Sequence, residues 1–227
     1  MQITEIYKSI QGESTYSGLP CVFVRLTGCN LRCSWCDSEY TFTGGQRRTL
    51  EEIVVEVERI SPGGGMVEIT GGEPMLQERE VVPLMQRLLD AHYKVLLETS
   101  GERPLGRVPR RVIKIVDVKC PNSGEPGTFQ MENLEVLTPD DEVKFVLSNR
   151  TDYEFARDFV QDHRLDQRVH AVLFSPAFDK GVTGSRDSSG CLLDPRELAD
   201  WMLADGVLAR LSLQIHKFIW DPAMKGV

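Results

Sequence analysis

The sequence predicts an α/β fold: a partial, incomplete TIM-like barrel of parallel strands. Short apolar runs alternate with amphipathic helical segments, the pattern of parallel strands joined by right-handed crossovers. About seven such runs fit into 227 residues, whereas a full eight-fold barrel takes about 250. Glycine-rich and polar punctuation follows the strands, at the end where barrels keep their chemistry.

Residues 21–26 (CVFVRL) read as a buried strand. Thr49 opens a helix with Glu52 in the capping-box position. Leu50, Ile53, Val54, Val57 and Ile60 give that helix one apolar face, and Ser61-Pro-Gly-Gly-Gly ends it. Residues 66–70 (MVEIT) form a strand that runs into Gly71-Gly72-Glu73-Pro74. A helix over about 78–91 buries Val81, Leu84, Met85, Leu88 and Leu89, and Pro83 fits it only near a first turn. Strands follow at 94–98, 112–118 and 142–147, then a helix at 152–163 and a strand at 170–174. Asp194-Pro195 starts a helix, with Pro in the first position and Glu197 placed for a capping box. Residues 211–215 (LSLQI) are the last expected strand. Thr27-Gly28, Gly71-Gly72-Glu73, Glu98-Thr99-Ser100 and Lys119 all fall at strand C-terminal ends.

A net charge of −8 argues against a nucleic-acid partner, which needs a basic footprint. No apolar stretch reaches the ~18 residues of a membrane span, and the start lacks the basic and apolar regions of a signal peptide. A cytoplasmic protein forming one domain over 1–227 is expected, with no membrane and no nucleic-acid partner.

Six cysteines are present: Cys21, Cys29, Cys33, Cys36, Cys120 and Cys191. Three of them crowd into Cys29-Asn-Leu-Arg-Cys33-Ser-Trp-Cys36. Chance clustering is one reading. A structural zinc site is another, but it wants four closed ligands, commonly as two separated pairs, and there is no second pair. The third is an iron–sulfur cluster. Such clusters usually take four thiolates, so three leave one iron open to a small chelating molecule. Gly71-Gly72-Glu73-Pro74 is either a tight turn or a place where backbone closely approaches a ligand. Arg25, inside an apolar strand, needs a partner: an internal carboxylate or a bound anion.

The cysteine segment resembles that of the radical S-adenosylmethionine superfamily. The wider set of motifs closely resembles the 7-carboxy-7-deazaguanine synthase family within it. Those motifs are Ser9-Ile10-Gln11-Gly12-Glu13-Ser14, Cys36-Asp37-Ser38, Thr70-Gly71-Gly72-Glu73-Pro74, Leu97-Glu98-Thr99-Ser100-Gly101 and Gln214-Ile215-His216-Lys217-Phe218-Ile219-Trp220. The resemblance runs from about residue 3 to the last, and 101–195 is its least distinctive part.

It implies a radical S-adenosylmethionine core with an N-terminal substrate-binding segment and a C-terminal lid or tail. The implied reaction converts 6-carboxy-5,6,7,8-tetrahydropterin to 7-carboxy-7-deazaguanine with loss of ammonia, on the way to queuosine and other 7-deazapurines. The implied cofactors are a 4Fe-4S cluster on Cys29, Cys33 and Cys36, S-adenosylmethionine regenerated at each turnover, and Mg2+ on Ser38. A homodimer and an external flavodoxin-like or ferredoxin-like electron donor are implied as well.

By the same resemblance Gln11, Gly12, Glu13, Arg25 and Thr70 face the pterin, joined by the carboxylate of Val227 unless the tail frays. Trp35, Asp37, Gly72, Glu73, Ser100, Lys119 and Ser175 face S-adenosylmethionine. Ser14 stands where that family usually has Gly, and Ser38 where it often has Thr. The competing readings are a glycyl-radical activating enzyme, which needs an open groove for a protein loop, and a non-catalytic cysteine-rich metal module.

Overall fold

A computed structural model describes residues 1–184 and 186–227. The described residues form one sheet of nine strands in the order β3-β1-β2-β4-β5-β6-β7-β8-β9. These are β1 (Gln2–Ile10), β2 (Pro20–Leu26), β3 (Gln46–Arg47), β4 (Gly65–Gly71), β5 (Tyr93–Thr99), β6 (Ile113–Asp117), β7 (Glu142–Leu147), β8 (Ala171–Pro176) and β9 (Arg210–Leu211). Every pairing from β2 to β9 is parallel. The edges β3 and β9 do not pair with each other, so the barrel is partial, as expected.

Helices α1 (Leu50–Ile60), α2 (Glu78–Asp90), α3 (Arg150–His163) and α4 (Pro195–Asp205) supply crossovers, and α5 (His216–Ile219) lies near the C-terminus. Among the described residues no helix is long and apolar enough to cross a membrane.

Strand side chains alternate between faces, and here the alternation separates core from site. Val22, Val24 and Leu26 of β2, Val67 and Ile69 of β4, and Val95 and Leu97 of β5 pack with residues of α1 and α2 in one core. Val143, Phe145 and Leu147 of β7 and Val172 and Phe174 of β8 pack with residues of α3 and α4 in a second. The intervening residues face the barrel interior. Cys21, Phe23, Met66, Leu96 and Ile115 form a small apolar plug there. Arg25, Glu68, Thr70, Glu98, Asp117 and Lys144 share that inner face and line the cavity beyond it.

Four expectations need correction. The N-terminal strand β1, antiparallel to β2, was not expected. Its mixed polar and apolar residues, mostly half-buried, give no strong periodic signal. The last strand stops at Leu211, because the chain leaves the sheet to bond Ile215 N to Gly12 O at 2.9 Å. Pro83 lies within α2, past its first turn, on the exposed side, where a lost backbone donor costs least. Asp194 caps α4 through Arg196 N at 2.8 Å rather than through a box with Glu197.

The α1 capping box is present as predicted: Thr49 accepts from Glu52 N at 3.2 Å, and Glu52 accepts from Thr49 N at 2.7 Å. Thr49→Ala should therefore cost about 1 kcal/mol. Thermal unfolding should show this as a fall of roughly 2–4 °C in Tm, and an unchanged Tm would mean the helix end is held by packing alone.

Candidate active site

One cavity of about 250 Å³ opens at the C-terminal ends of the strands. It brings together nearly every residue singled out from the sequence. Gln11, Gly12, Glu13, Arg25, Cys29, Cys33, Trp35, Cys36, Asp37, Ser38, Thr70, Gly72, Glu73, Ser100, Lys119 and Val227 all line it. Ser175 is the exception. It is 1% exposed, its hydroxyl has no hydrogen-bond partner among the described residues, and it is not on the cavity wall; β8 runs on to Pro176 and pairs Ser175 with Val146, which is on the wall.

All three cysteines of the cluster segment are free and partly buried. Burial raises each thiol, and Cys36, which also has Asp37 beside it, reaches about 11. Metal binding there must displace protons. Among the described residues no three His, Cys, Asp or Glu side chains converge on one point that could hold an ion. A 4Fe-4S cluster takes its thiolates at separate irons, so the three sulfurs need not converge on one point. Three cysteines on a cavity wall fit such a cluster, with space beside it for a ligand of the open iron.

The turn after β4 is built against this segment. Gly71 has φ +144°, and a Cβ on it would lie 2.3 Å from Leu26 O. A Cβ on Gly72 would lie 2.2 Å from Gly28 O and 2.8 Å from Cys29 Cβ. Only glycine fits at either position. Glu73 braces the turn rather than reaching out of it. Its carboxylate accepts Met75 N at 2.9 Å, Thr99 Oγ1 at 2.7 Å, Ser100 N at 2.8 Å and Ser100 Oγ at 2.7 Å.

The loop at 11–14 is held from several sides. Ser14 adopts φ +60°, a conformation that favours glycine, and its hydroxyl accepts Tyr16 N at 3.1 Å. Gln11 donates to the buried Glu68 and accepts Glu13 N at 2.8 Å. Glu13 accepts Lys144 Nζ at 2.8 Å and Gln214 Nε2 at 2.8 Å. Burial would raise the Glu13 carboxyl, but the Lys144 charge, His216 and these hydrogen bonds outweigh it and hold it at about 2.

Arg25 has an internal carboxylate, the alternative foreseen for it. Its Nε donates to Glu5 Oε1 at 2.9 Å and its Nη2 to Tyr7 OH at 2.8 Å. Lys119 pairs with Asp117 Oδ2 at 2.8 Å, while Asp117 Oδ1 is buried without a partner among the described residues. Asp37 pairs with Lys217 at 2.7 Å and accepts the Ser38 hydroxyl at 2.9 Å. Thr70 donates to Glu98 Oε2 at 3.2 Å.

Glu68, Asp117, Lys144, Gln214, His216 and Lys217 also line the cavity, and the sequence reading assigned none of them a role. Glu68 and Lys144 carried the signal that exposed Arg25: one charge inside an apolar strand. Burial first, then the negative Glu98 and Glu13, push the Glu68 carboxyl well up and favour its neutral form.

The family model of the Radical SAM superfamily matches residues 23–160. A 7-carboxy-7-deazaguanine synthase of Koribacter versatilis (strain Ellin345) is 64% identical over 227 residues, covering 100% of both chains. That of Chlorobaculum tepidum is 39% identical over 230 residues, covering 100% of this chain and 97% of its own. The crystal structure of QueE from Escherichia coli matches with a TM-score of 0.71 at 23% identity, over 93% of this chain and 92% of that one. At that identity the match speaks for the fold alone.

Two consequences are measurable. Glu73→Gln replaces an acceptor by a donor facing buried N–H and O–H groups, so it should cost about 1–3 kcal/mol. Urea unfolding would show this as a lower midpoint at constant slope; an unchanged midpoint would leave the brace without weight. Because the folded-state pKa of Glu13 is depressed from 4.5 to about 2, its stabilisation is fully present above the unfolded value. It is lost as pH falls from about 4.5 towards 2. Glu13→Gln should flatten the acid limb of stability in that window, and an acid limb of unaltered slope would contradict the assignment.

Proposed function

The chain belongs to the radical S-adenosylmethionine superfamily and, within it, to the 7-carboxy-7-deazaguanine synthase family, and from this premise we propose that it contracts 6-carboxy-5,6,7,8-tetrahydropterin to 7-carboxy-7-deazaguanine with release of ammonia. It is an enzyme that works with a 4Fe-4S cluster and S-adenosylmethionine, which when bound supply the carbon-centred radical that starts the reaction. The observation that carries the substrate assignment is a single cavity. The three cysteines, the charged inner face of the strands and the C-terminal residues 222–227 all line it. Residues 222–227 on the cavity wall suit a small substrate better than the open groove that a glycyl-radical activating enzyme needs.

In this reading Cys29, Cys33 and Cys36 hold the cluster. Trp35, Asp37, Gly72, Ser100 and Lys119 border S-adenosylmethionine, and the unpartnered Asp117 Oδ1 marks unsatisfied polarity on the same wall. Glu73 serves as the brace of that wall. Gln11, Gly12, Glu13, Arg25 and Thr70 face the pterin, with Val227 beside them. An ionised carboxylate offers about four acceptor positions. Glu13 uses two on Lys144 and Gln214, so two remain for the paired N–H groups of a guanidine-like edge.

Ser38 is the protein oxygen for Mg2+, which commonly keeps waters and takes further ligands from substrate. We read 1–227 as one catalytic domain of a cytoplasmic homodimer that receives electrons from a flavodoxin-like or ferredoxin-like protein.

Anaerobically reconstituted protein given the carboxypterin, S-adenosylmethionine, Mg2+ and a reductant should form the deazapurine. Cys33→Ala should lose both the visible absorption of the cluster and turnover. Bound zinc with no iron in the wild type, or full activity in Cys33→Ala, would overturn the reading.

A further inference from the structure

The C-terminal segment 214–217 touches both loops that carry the chemistry. Gln214 Nε2 donates to Glu13 Oε1 at 2.8 Å, and Ile215 N donates to Gly12 O at 2.9 Å. The His216 ring occupies the space beside Gly12: a Cβ there would lie 2.0 Å from His216 Nδ1. The next residue reaches the other loop. Lys217 Nζ lies 2.7 Å from Asp37 Oδ2, and the lysine side chain is only 5% exposed.

Lysine is seldom buried so deeply unless paired, and an ammonium out of water has to recover its lost hydration from a partner. Asp37 and the Phe178 ring, 5.1 Å from the ammonium, face it. Asp37 follows the third cysteine directly and accepts the hydroxyl of Ser38 at 2.9 Å. One short strap thus grips the segment before the first cysteine and the segment after the last.

We propose that Lys217 is a positioning residue of the reaction: its ion pair with Asp37 ties residues 36–38 to the strap that also fixes residues 11–13, so that the metal side and the substrate side of the cavity keep one register. The proposal rests on the reading above in which Ser38 meets Mg2+ and Gln11 to Glu13 meet the pterin. The two loops come from different parts of the chain, and the strap bonds to both of them. A misplacement of about 1 Å at a reacting centre costs on the order of 10²-fold, so an ion pair can govern turnover through the loops it places.

The test compares Lys217→Met, Lys217→Arg, Asp37→Asn and the double variant Lys217→Met with Asp37→Asn in reconstituted full-length enzyme. Lys217→Met should keep wild-type iron content and should still cleave S-adenosylmethionine to 5′-deoxyadenosine. Product formed per 5′-deoxyadenosine should fall roughly 10- to 100-fold, and half-saturating Mg2+ should rise. Lys217→Arg should restore both, Asp37→Asn should lose at least as much because Asp37 also borders S-adenosylmethionine, and adding Lys217→Met to Asp37→Asn should cost nothing further.

Hydrogen exchange on the full chain before reconstitution gives a readout independent of turnover. Amides at 11–13 and 36–41 should both exchange faster in Lys217→Met and not in Lys217→Arg. Wild-type coupling and Mg2+ response in Lys217→Met overturn the proposal. So does normal coupling in Asp37→Asn should Lys217→Met fail to fold or to hold iron. If the wild type makes no deazapurine from the carboxypterin, the functional reading fails, while the exchange data still decide whether Lys217 ties the two loops.

Discussion

The interior of this barrel depends on one constraint: charge removed from water must be matched. Lys144 projects from the inner face of β7 and is 4% exposed. Burial opposes its charge, but Glu13, Glu98 and Asp117 outweigh burial and hold its pKa well above the ordinary lysine value. Glu98 lies 2.5 Å away and Glu13 2.8 Å away. Through Glu98 the network reaches Thr70 on β4, and Glu13 joins it to the N-terminal loop and to Gln214. Removing one partner of such a buried group leaves an uncompensated charge, typically a loss of about 3–5 kcal/mol. The same contacts therefore hold the loop to the sheet and set the polarity of the cavity.

A second constraint is steric. The β4 turn and the cysteine segment approach so closely that Gly71 and Gly72 leave no room for a Cβ. Glu73 N bonds Gly28 O at 2.8 Å, which fastens the turn to the start of the segment. The Glu73 side chain reaches the opposite way, to the end of β5. The wall beside the cysteines is thus assembled from β2, β4 and β5 with few degrees of freedom, the kind of rigid support that a catalytic constellation requires.

Much of this was legible in the sequence, and the parts that were not have physical causes. Strands β4 to β8 are mostly buried on both faces, so apolar residues dominate them and mark them strongly. Strand β1 is an antiparallel strand near the edge with mostly half-buried residues, and its pattern says little. Residues at strand ends were found because glycine and small polar residues interrupt an apolar run there. Lys144 and Glu68 were missed although each is a lone charge in an apolar strand, because nothing local tells an inward charge from an outward one. Lys217 was missed for a different reason: its partner is 180 positions away in the chain (217 − 37), and no local pattern marks a pair of that kind. Cys21, Cys120 and Cys191 line no part of the cavity; Cys21 belongs to the apolar plug and Cys120 to the outer core.

Acceptor arithmetic separates the carboxylates that support from those that can receive. Glu73 accepts four protein donors, about as many as a carboxylate has acceptor positions, so its side chain is committed to bracing the cavity wall. Glu13, held ionised by Lys144, accepts two and keeps capacity for two more. Both its orientation and its charge are fixed before any ligand arrives. A substrate that presents two N–H groups would complete a network already in place, and little of its binding energy would go into reorganising the protein. Radical chemistry gains most from that economy, because a fixed geometry and a cavity walled by residues 222–227 limit the hydrogen donors a reactive centre can meet.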